Sequence, residues 1–414
     1  MIRIILSIAL CAAAVDASAQ APAPREPREP RQTITAAVNV SGAASDDSAD
    51  TFGDGRTAVG QHTDADALIT YQRREGRLAL SITGRSVGRY APGEGGATAT
   101  RHQAGFDLAM TGTHTQFRVA ESGSYSPFYQ FGAGVGVPVS PLADTMESHG
   151  DFANARLAAL GTSTVAELKQ TIGRHTALAM AYDFHKTTFG QKDLDFESQN
   201  AGGSLSQRLS RYLTLRTGYT YRMAHTSRAV AGDVVDHAVD LGLDYSRTLS
   251  PTRKTAFSFS SGSSLTPGPE GMAFHITGNA MLSRAIGRSW SAKFGVNRSV
   301  QLLEGFVAPM LTDAASAAIG GPLTSRTSIS TSFGYARGQS AAAQPNGATF
   351  GNWTGGLGFH AALSRSTSID AQYFYYGHRF DPRLLGGADI ARELTRHGVR
   401  VGLTWHGILL RSRG

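Results

Sequence analysis

Between residues 353 and 375 the chain alternates two kinds of side chain with a period of two. Trp353, Leu357, Phe359, Ala361 and Leu363 share one parity, and Thr354, Gly356, Gly358 and His360 hold the other. After the polar turn Ser364-Arg365-Ser366, the apolar residues Ile369, Ala371, Tyr373 and Tyr375 alternate with Ser368, Asp370 and Gln372. Successive strand side chains point to opposite faces, so this stretch predicts a hairpin with one apolar and one polar face.

The pattern recurs along nearly the whole chain. Ile34, Ala36, Val38 and Val40 open it, and Ala65, Ala67, Ile69 and Tyr71 return toward a turn at residues 73–76. Leu178, Met180, Tyr182 and Phe184 repeat it in mid-chain, as do Leu213, Leu215, Tyr219 and Tyr221, and Val399, Val401, Leu403 and Trp405 close it. Glu121 falls on an apolar parity, where a charge is unfavourable in lipid, so a bulge or a place near the membrane edge is expected there. Eight tight turns can be counted, several built like Leu209-Ser210-Arg211-Tyr212-Leu213, and they imply nine longer connections and eighteen strands, with sixteen as the alternative.

A soluble sandwich also has one polar and one apolar face per strand. Against it stand the number of arms, the unbroken run of neighbouring hairpins and the aromatics at the ends of apolar faces, where interfacial girdles sit. In lipid an open sheet would leave backbone groups unpaired, so closure is required. The expected fold is all-β, a transmembrane antiparallel up-and-down barrel, with the polar parity inside.

Composition fills in the flanks. Residues 4–15 are the only long apolar run, preceded by Arg3 and followed by Ala17-Ser18-Ala19, which predicts a signal peptide over 1–19. Residues 20–33 form a Pro-rich periplasmic lead-in, 34–406 the barrel, and 407–414 a tail. The sole cysteine, Cys11, lies in the signal region, which removes disulfide and thiolate chemistry from the mature chain. A formal charge of +7 raises nucleic acid as a partner, but the Arg residues are scattered with no basic helix or block, which argues against it.

The inward candidates are Arg85, Asp107, Arg118, Asp183, Arg216, Arg222, Asp240, Asp244, Lys293, Asp370 and Arg400. Cations and carboxylates nearly balance, so a hydrated solute suits this lumen better than a selective ion filter does, and most of the charges are expected to pair across strands. Phe374 is essentially the only aromatic assigned inward, which argues against a stacking track for sugars. The apolar loop holding Leu303, Phe306 and Met310 is a candidate constriction. Chance pairs such as Asp183 with His185 or His360 with Asp370 come without a nucleophile elbow or metal-ligand spacing, so neither an enzyme, a cofactor nor a metal is expected.

The repeated Leu-Ser-Arg turns, the stretch Ser124-Tyr125-Ser126-Pro127-Phe128-Tyr129 and the closing Val399-Arg400-Val401-Gly402-Leu403-Thr404-Trp405 carry a resemblance. The chain resembles the outer-membrane β-barrel porins often encoded with exopolysaccharide assembly systems. That resemblance implies a conduit for exopolysaccharide or another large hydrated solute across a Gram-negative outer membrane, with periplasmic polysaccharide-export proteins as partners. The barrel-assembly machinery would read Gly402, Leu403 and Trp405, or Leu409 and Leu410. The alternative is a non-conducting structural or adhesive barrel that acts through its extracellular loops.

Overall fold

Residues rich in Thr, Val, Tyr and Phe at period two favour the pleated conformation, and the turns between them carry the residues that tight reversals need. Gly76 and Gly287 take left-handed φ values of 57° and 64° in two of these turns, a conformation in which a Cβ is strained. The computed structural model describes residues 31–47, 60–91, 97–127, 157–190, 194–227, 233–248, 255–268, 271–303, 306, 309–341, 348–381, 383 and 392–412. The expected signal peptide, most of the lead-in and most of the long connection after Tyr125 lie outside the described residues.

Eighteen strands form: β1 (Gln32–Asp47), β2 (Gln61–Glu75), β3 (Leu78–Ala91), β4 (Ala97–Thr111), β5 (Thr115–Ser126), β6 (Ala159–Thr171), β7 (Thr176–Phe189), β8 (Phe196–Arg208) and β9 (Leu213–Thr226), then β10 (Val234–Thr248), β11 (Thr255–Gly268), β12 (Gly271–Ile286), β13 (Trp290–Gln301), β14 (Met310–Pro322), β15 (Thr327–Ser340), β16 (Thr349–Ala362), β17 (Thr367–Phe380) and β18 (Glu393–Ser412). Each strand pairs antiparallel with its sequence neighbours, and β1 pairs with β18 as well as β2, so the sheet closes. The eight tight turns fall at one end of the cylinder, with both ends of the described chain; the other connections fall at the loop end.

Closure rests on a ladder running from Gln32↔Ser412 to Asp47↔Arg396, with one irregularity at Ile34/Thr35 where Leu409 is the extra residue. The barrel is therefore longer than expected at its end: residues 407–412, expected in a tail, complete β18 against β1. They project beyond β17, whose pairing with β18 stops at Thr367↔Trp405, and they leave Ile408, Leu409 and Leu410 exposed.

Which face is inside follows from contacts across the cylinder. Ala159 and Phe189 of β6 and β7 share one buried apolar cluster with Met310, Ala336, Phe350 and Phe380 of β14 to β17. Side chains from such distant strands meet only in the interior. The opposite parity carries the large exposed apolar residues, among them Val40, Ile82, Met180, Leu243, Phe294, Phe333, Tyr373 and Leu403. β2 and β18 show the alternation directly, exposed and buried positions succeeding one another along each.

Glu121 departs from the first of the two expectations, a bulge. The ladders on either side of β5 are regular through Phe106↔Glu121 and Glu121↔Thr164, so no bulge turns it inward, and it is the seventh of twelve residues, away from the strand end. It stands exposed on the outer face, with Phe106 directly opposite on β4 and the small Thr162 and Thr164 on β6. Replacing it should stabilise the barrel: Glu121→Leu is expected to gain about 1–2 kcal/mol, since a carboxylate facing hydrocarbon costs somewhat less than the 2–4 kcal/mol of a basic residue. Urea unfolding from lipid vesicles measures this, and a loss of stability would show that Glu121 has a partner on the outer face.

Candidate functional site

The interior is lined by short strings of charge, each laid across neighbouring strands. Asp66 on β2 receives Arg85 of β3 at 2.5 Å. Asp107 on β4 receives Arg118 of β5 at 2.5 Å, and Arg118 also lies 3.6 Å from Glu167 on β6. Arg216 on β9 bridges two carboxylates of β10, Asp240 through its Nε and Asp244 through Nη1 at 2.8 Å. Gly262 of β11 makes room for this pair, since a Cβ there would lie 2.8 Å from the Asp240 carboxylate.

Two strings are more deeply buried. Asp64, fully enclosed on β2, accepts from Arg89 of β3 at 2.9 Å and from Arg400 of β18 at 2.8 Å; Arg400 also donates to Ser41 of β1 and to His62. Four neighbouring strands are thereby tied across the closure of the barrel from inside. Asp236 on β10, also fully enclosed, accepts from Arg222 of β9 at 3.2 Å and from Ser264 and Thr266 of β11. A third string crosses the closure more openly: His360 lies 2.7 Å from Asp370, which accepts from Thr404, and Thr404 accepts from Asn39 of β1.

The inward candidates therefore come together mostly as pairs. Arg85, Asp107, Arg118, Arg216, Arg222, Asp240, Asp244, Asp370 and Arg400 all engage opposite or polar partners. Lys293 stands exposed on the inward parity of β13, between Ser283 and Ala318, and Asp183 stands on that of β7, between Val165 and Asn200. Asp236, Arg89 and His62 were not among the candidates, although each shares a parity with one that was or with a neighbouring carboxylate. At the loop end Arg383 donates to Asp381 from its guanidinium at 2.6 Å and from its backbone N–H at 3.0 Å, and holds that carboxyl down to about 2.

The aromatic content of the interior corrects the sequence-based expectation. Phe189, Phe196, Phe350, Tyr376 and Phe380 join Phe374 on inward positions, all buried. Phe306, from the connection between β13 and β14, packs among them: its ring centroid lies 5.6 Å from Phe350, stacked, and 5.5 Å from Phe380, edge-on. Leu303 lies against the same cluster and Met310 is fully buried in it. Phe350 lies across Gly338, where a Cβ would fall 2.0 Å from the ring. The three loop residues singled out from sequence thus sit in an apolar cluster that joins opposite walls at the loop end, the end at which Asp64, Arg89 and Asp236 also stand.

Comparison with solved structures gives long, distant matches. OpdL of Pseudomonas aeruginosa aligns over 92% of this chain and 99% of its own at 12% identity and a TM-score of 0.47. OccAB4 of Acinetobacter baumannii aligns over 91% and 98% at 10% identity and 0.44. The siderophore receptor PirA of Pseudomonas aeruginosa covers 92% of this chain and 81% of its own at 8% identity and 0.45. No family model matches the chain, and no curated protein matches it. The closed fold stands on this chain's own strand order and register.

Burial separates the strings energetically. Asp64→Asn strands two guanidinium groups around a fully enclosed site and should cost about 3–5 kcal/mol. Asp107→Asn breaks a partly solvated pair and should cost about 0–1 kcal/mol. Urea unfolding of the two variants compares them, and equal losses would contradict the burial-based ranking.

Proposed function

We propose that this chain is an outer-membrane channel of porin type. The observation that carries the reading is a closed cylinder with large apolar side chains outside and cross-strand ion pairs inside. An apolar outer band suits only hydrocarbon, and a closed sheet is the one β arrangement that leaves no backbone edge there. The turn end would face the periplasm and the loop end the exterior, which agrees with both ends of the described chain lying at the turn end. The interior offers no field of single sign, since its charges neutralise one another in pairs, and that favours a hydrated solute of no fixed charge over an ion filter.

The apolar cluster at the loop end adds a condition to passage. Aromatic rings packed on one another are a closure, not a stacking track, so a solute must displace the Phe306 connection to leave by the mouth. Exopolysaccharide as cargo rests on the sequence resemblance alone, as do periplasmic export partners. The same cluster favours the second reading, a barrel that does not conduct and acts through its loops.

Conductance separates the two. Purified, refolded protein in a planar bilayer should show discrete open steps, and Phe306→Ala together with Phe350→Ala should make them more frequent by opening the cluster. Absence of any step from both proteins, with the barrel shown folded, would overturn the channel.

A further inference from the structure

The wall of the barrel is not laddered evenly. β12 pairs with β13 from Ile286↔Trp290 up to Gly278↔Arg298 and no further, although both strands continue. Residues 271–277 of β12 go on pairing with β11 alone, as far as Gly268↔Gly271, and residues 299–301 of β13 pair only with β14. Their facing edges part. On the far side of the same hairpin the β10–β11 register is interrupted between His237↔Leu265 and Asp244↔Ser260. Side chains span that interruption: Ser263 Oγ donates to the Val239 carbonyl at 2.6 Å, and the Leu243 N–H donates to Ser261 Oγ at 3.2 Å. The loop-end half of the β11–β12 hairpin is thus a flap, held by its own ladder and by side-chain bonds more than by its neighbours.

Behind the flap the neighbouring strands turn inward. Val300 of β13 and Leu311 of β14 have the outward parity, yet both are only 3% exposed and form a buried apolar cluster with Ala341. The side chain of His275, inward on β12, bonds the Ala341 carbonyl at 2.9 Å, and Arg222 of β9 donates to the Val300 carbonyl at 2.8 Å. Outward-facing residues can be buried against inward-facing ones only where one edge of the sheet has slipped inside the other. A closed slot, a packed seam, results between flap and inturned strands, apolar along Val300, Leu311 and Ala341, polar at its inner end through His275 and the Arg222–Asp236 pair.

The outer face at the parting carries an ion pair: Arg298 and Asp313, both outward and exposed, lie 3.2 Å apart at the last rung. Ile286 to Gly278 climbs about 20 Å for a strand tilted by about 40°, which sets the parting toward the upper edge of an apolar band about 25 Å tall. Beyond the parting, Phe274 and Ile276 still face outward and are 63% and 67% exposed. Unpaired strand edges are costly at that depth, which makes the parting a feature to be explained.

We propose that the parted edges of β12 and β13 form a lateral portal, through which the apolar tail of a single-chain amphiphile passes between the bilayer and the barrel interior. The slot's apolar lining takes the tail, while His275 at its inner end, beside the Arg222–Asp236 pair, meets a polar head. Closed at rest by three small or branched side chains, the slot would open by displacing them, a gap suited to one chain and not to a two-chain lipid. The proposal rests on the barrel spanning a bilayer but is independent of whether the mouth conducts ions.

Single cysteines introduced with Cys11→Ser in place test it in liposomes, using N-dodecylmaleimide dissolved in the bilayer and a charged, impermeant maleimide in the water. Val296→Cys, outward and fully laddered, marks the lipid face; Lys293→Cys, inward and laddered, marks the interior. Val300→Cys and Leu311→Cys should react with the dodecyl reagent within an order of magnitude of Val296→Cys and well ahead of Lys293→Cys, while the charged reagent labels them slowly. Reaction at the rate of Lys293→Cys, or reaction with the charged reagent alone, would overturn the portal. Failure of Val296→Cys to react from the bilayer would overturn the membrane-spanning reading and the portal with it, whereas a conductance failure leaves the portal standing.

Discussion

Every backbone N–H and C=O exposed to hydrocarbon must find its partner within the protein, and this single requirement shapes the chain more than any side-chain contact. It explains why the first strand meets the last along the full length of β1, and why β18 runs to Ser412 against Gln32. It also explains where polar side chains gather on the inside. The string Arg400, Ser41, Asp64 and Arg89 crosses the closure, where two remote parts of the sequence have to find one register. A buried ionic string of this kind contributes little net stability but penalises a slipped register heavily, because a slip by one residue would turn its charges outward.

The same partition produces two interiors. Along most of the barrel, carboxylates and guanidinium groups face each other over adjacent strands, so the surface is wet but nearly neutral. At the loop end an apolar, partly aromatic cluster packs around Phe306 and joins β6 and β7 to β14 through β17. The Phe306 cluster and the parted β12–β13 edges lie at the same end. That proximity is what connects the channel reading to a lateral route.

Strand number, parity and the positions of the tight turns were legible in the sequence, because a two-sided wall writes its pattern locally: Trp353 to Leu363 and Ile369 to Tyr375 alternate as the barrel requires. Inward charges such as Arg216 and Asp240 were legible for the same reason. The aromatic cluster was not. Phe189, Phe350 and Phe380 stand at strand ends where alternation gives way to connections, and Phe306 reaches them through a loop whose path no periodicity records. Glu121 was legible as a conflict but not as a resolved one, since only the register of β5 with both neighbours shows that no bulge turns it inward. The parting of β12 from β13 left only Arg298 on the outward parity of β13 as a sign, because register is a relation between strands and the alternation of Phe274 and Ile276 continues undisturbed across it.

The account stands on odd and even positions meeting two different solvents. Nitroxide labels placed one at a time along β17, from Thr367 to Phe380, in protein reconstituted into vesicles would measure this directly through collision with oxygen, which concentrates in lipid, and with a water-soluble nickel chelate. The account predicts accessibilities that oscillate with a period of two and in opposite phase: oxygen highest at Ile369, Ala371, Tyr373 and Tyr375, and the nickel chelate favoured at Asp370 and Gln372. Oscillation lost, or oxygen access low on both parities as in a dry two-sheet sandwich, would contradict it.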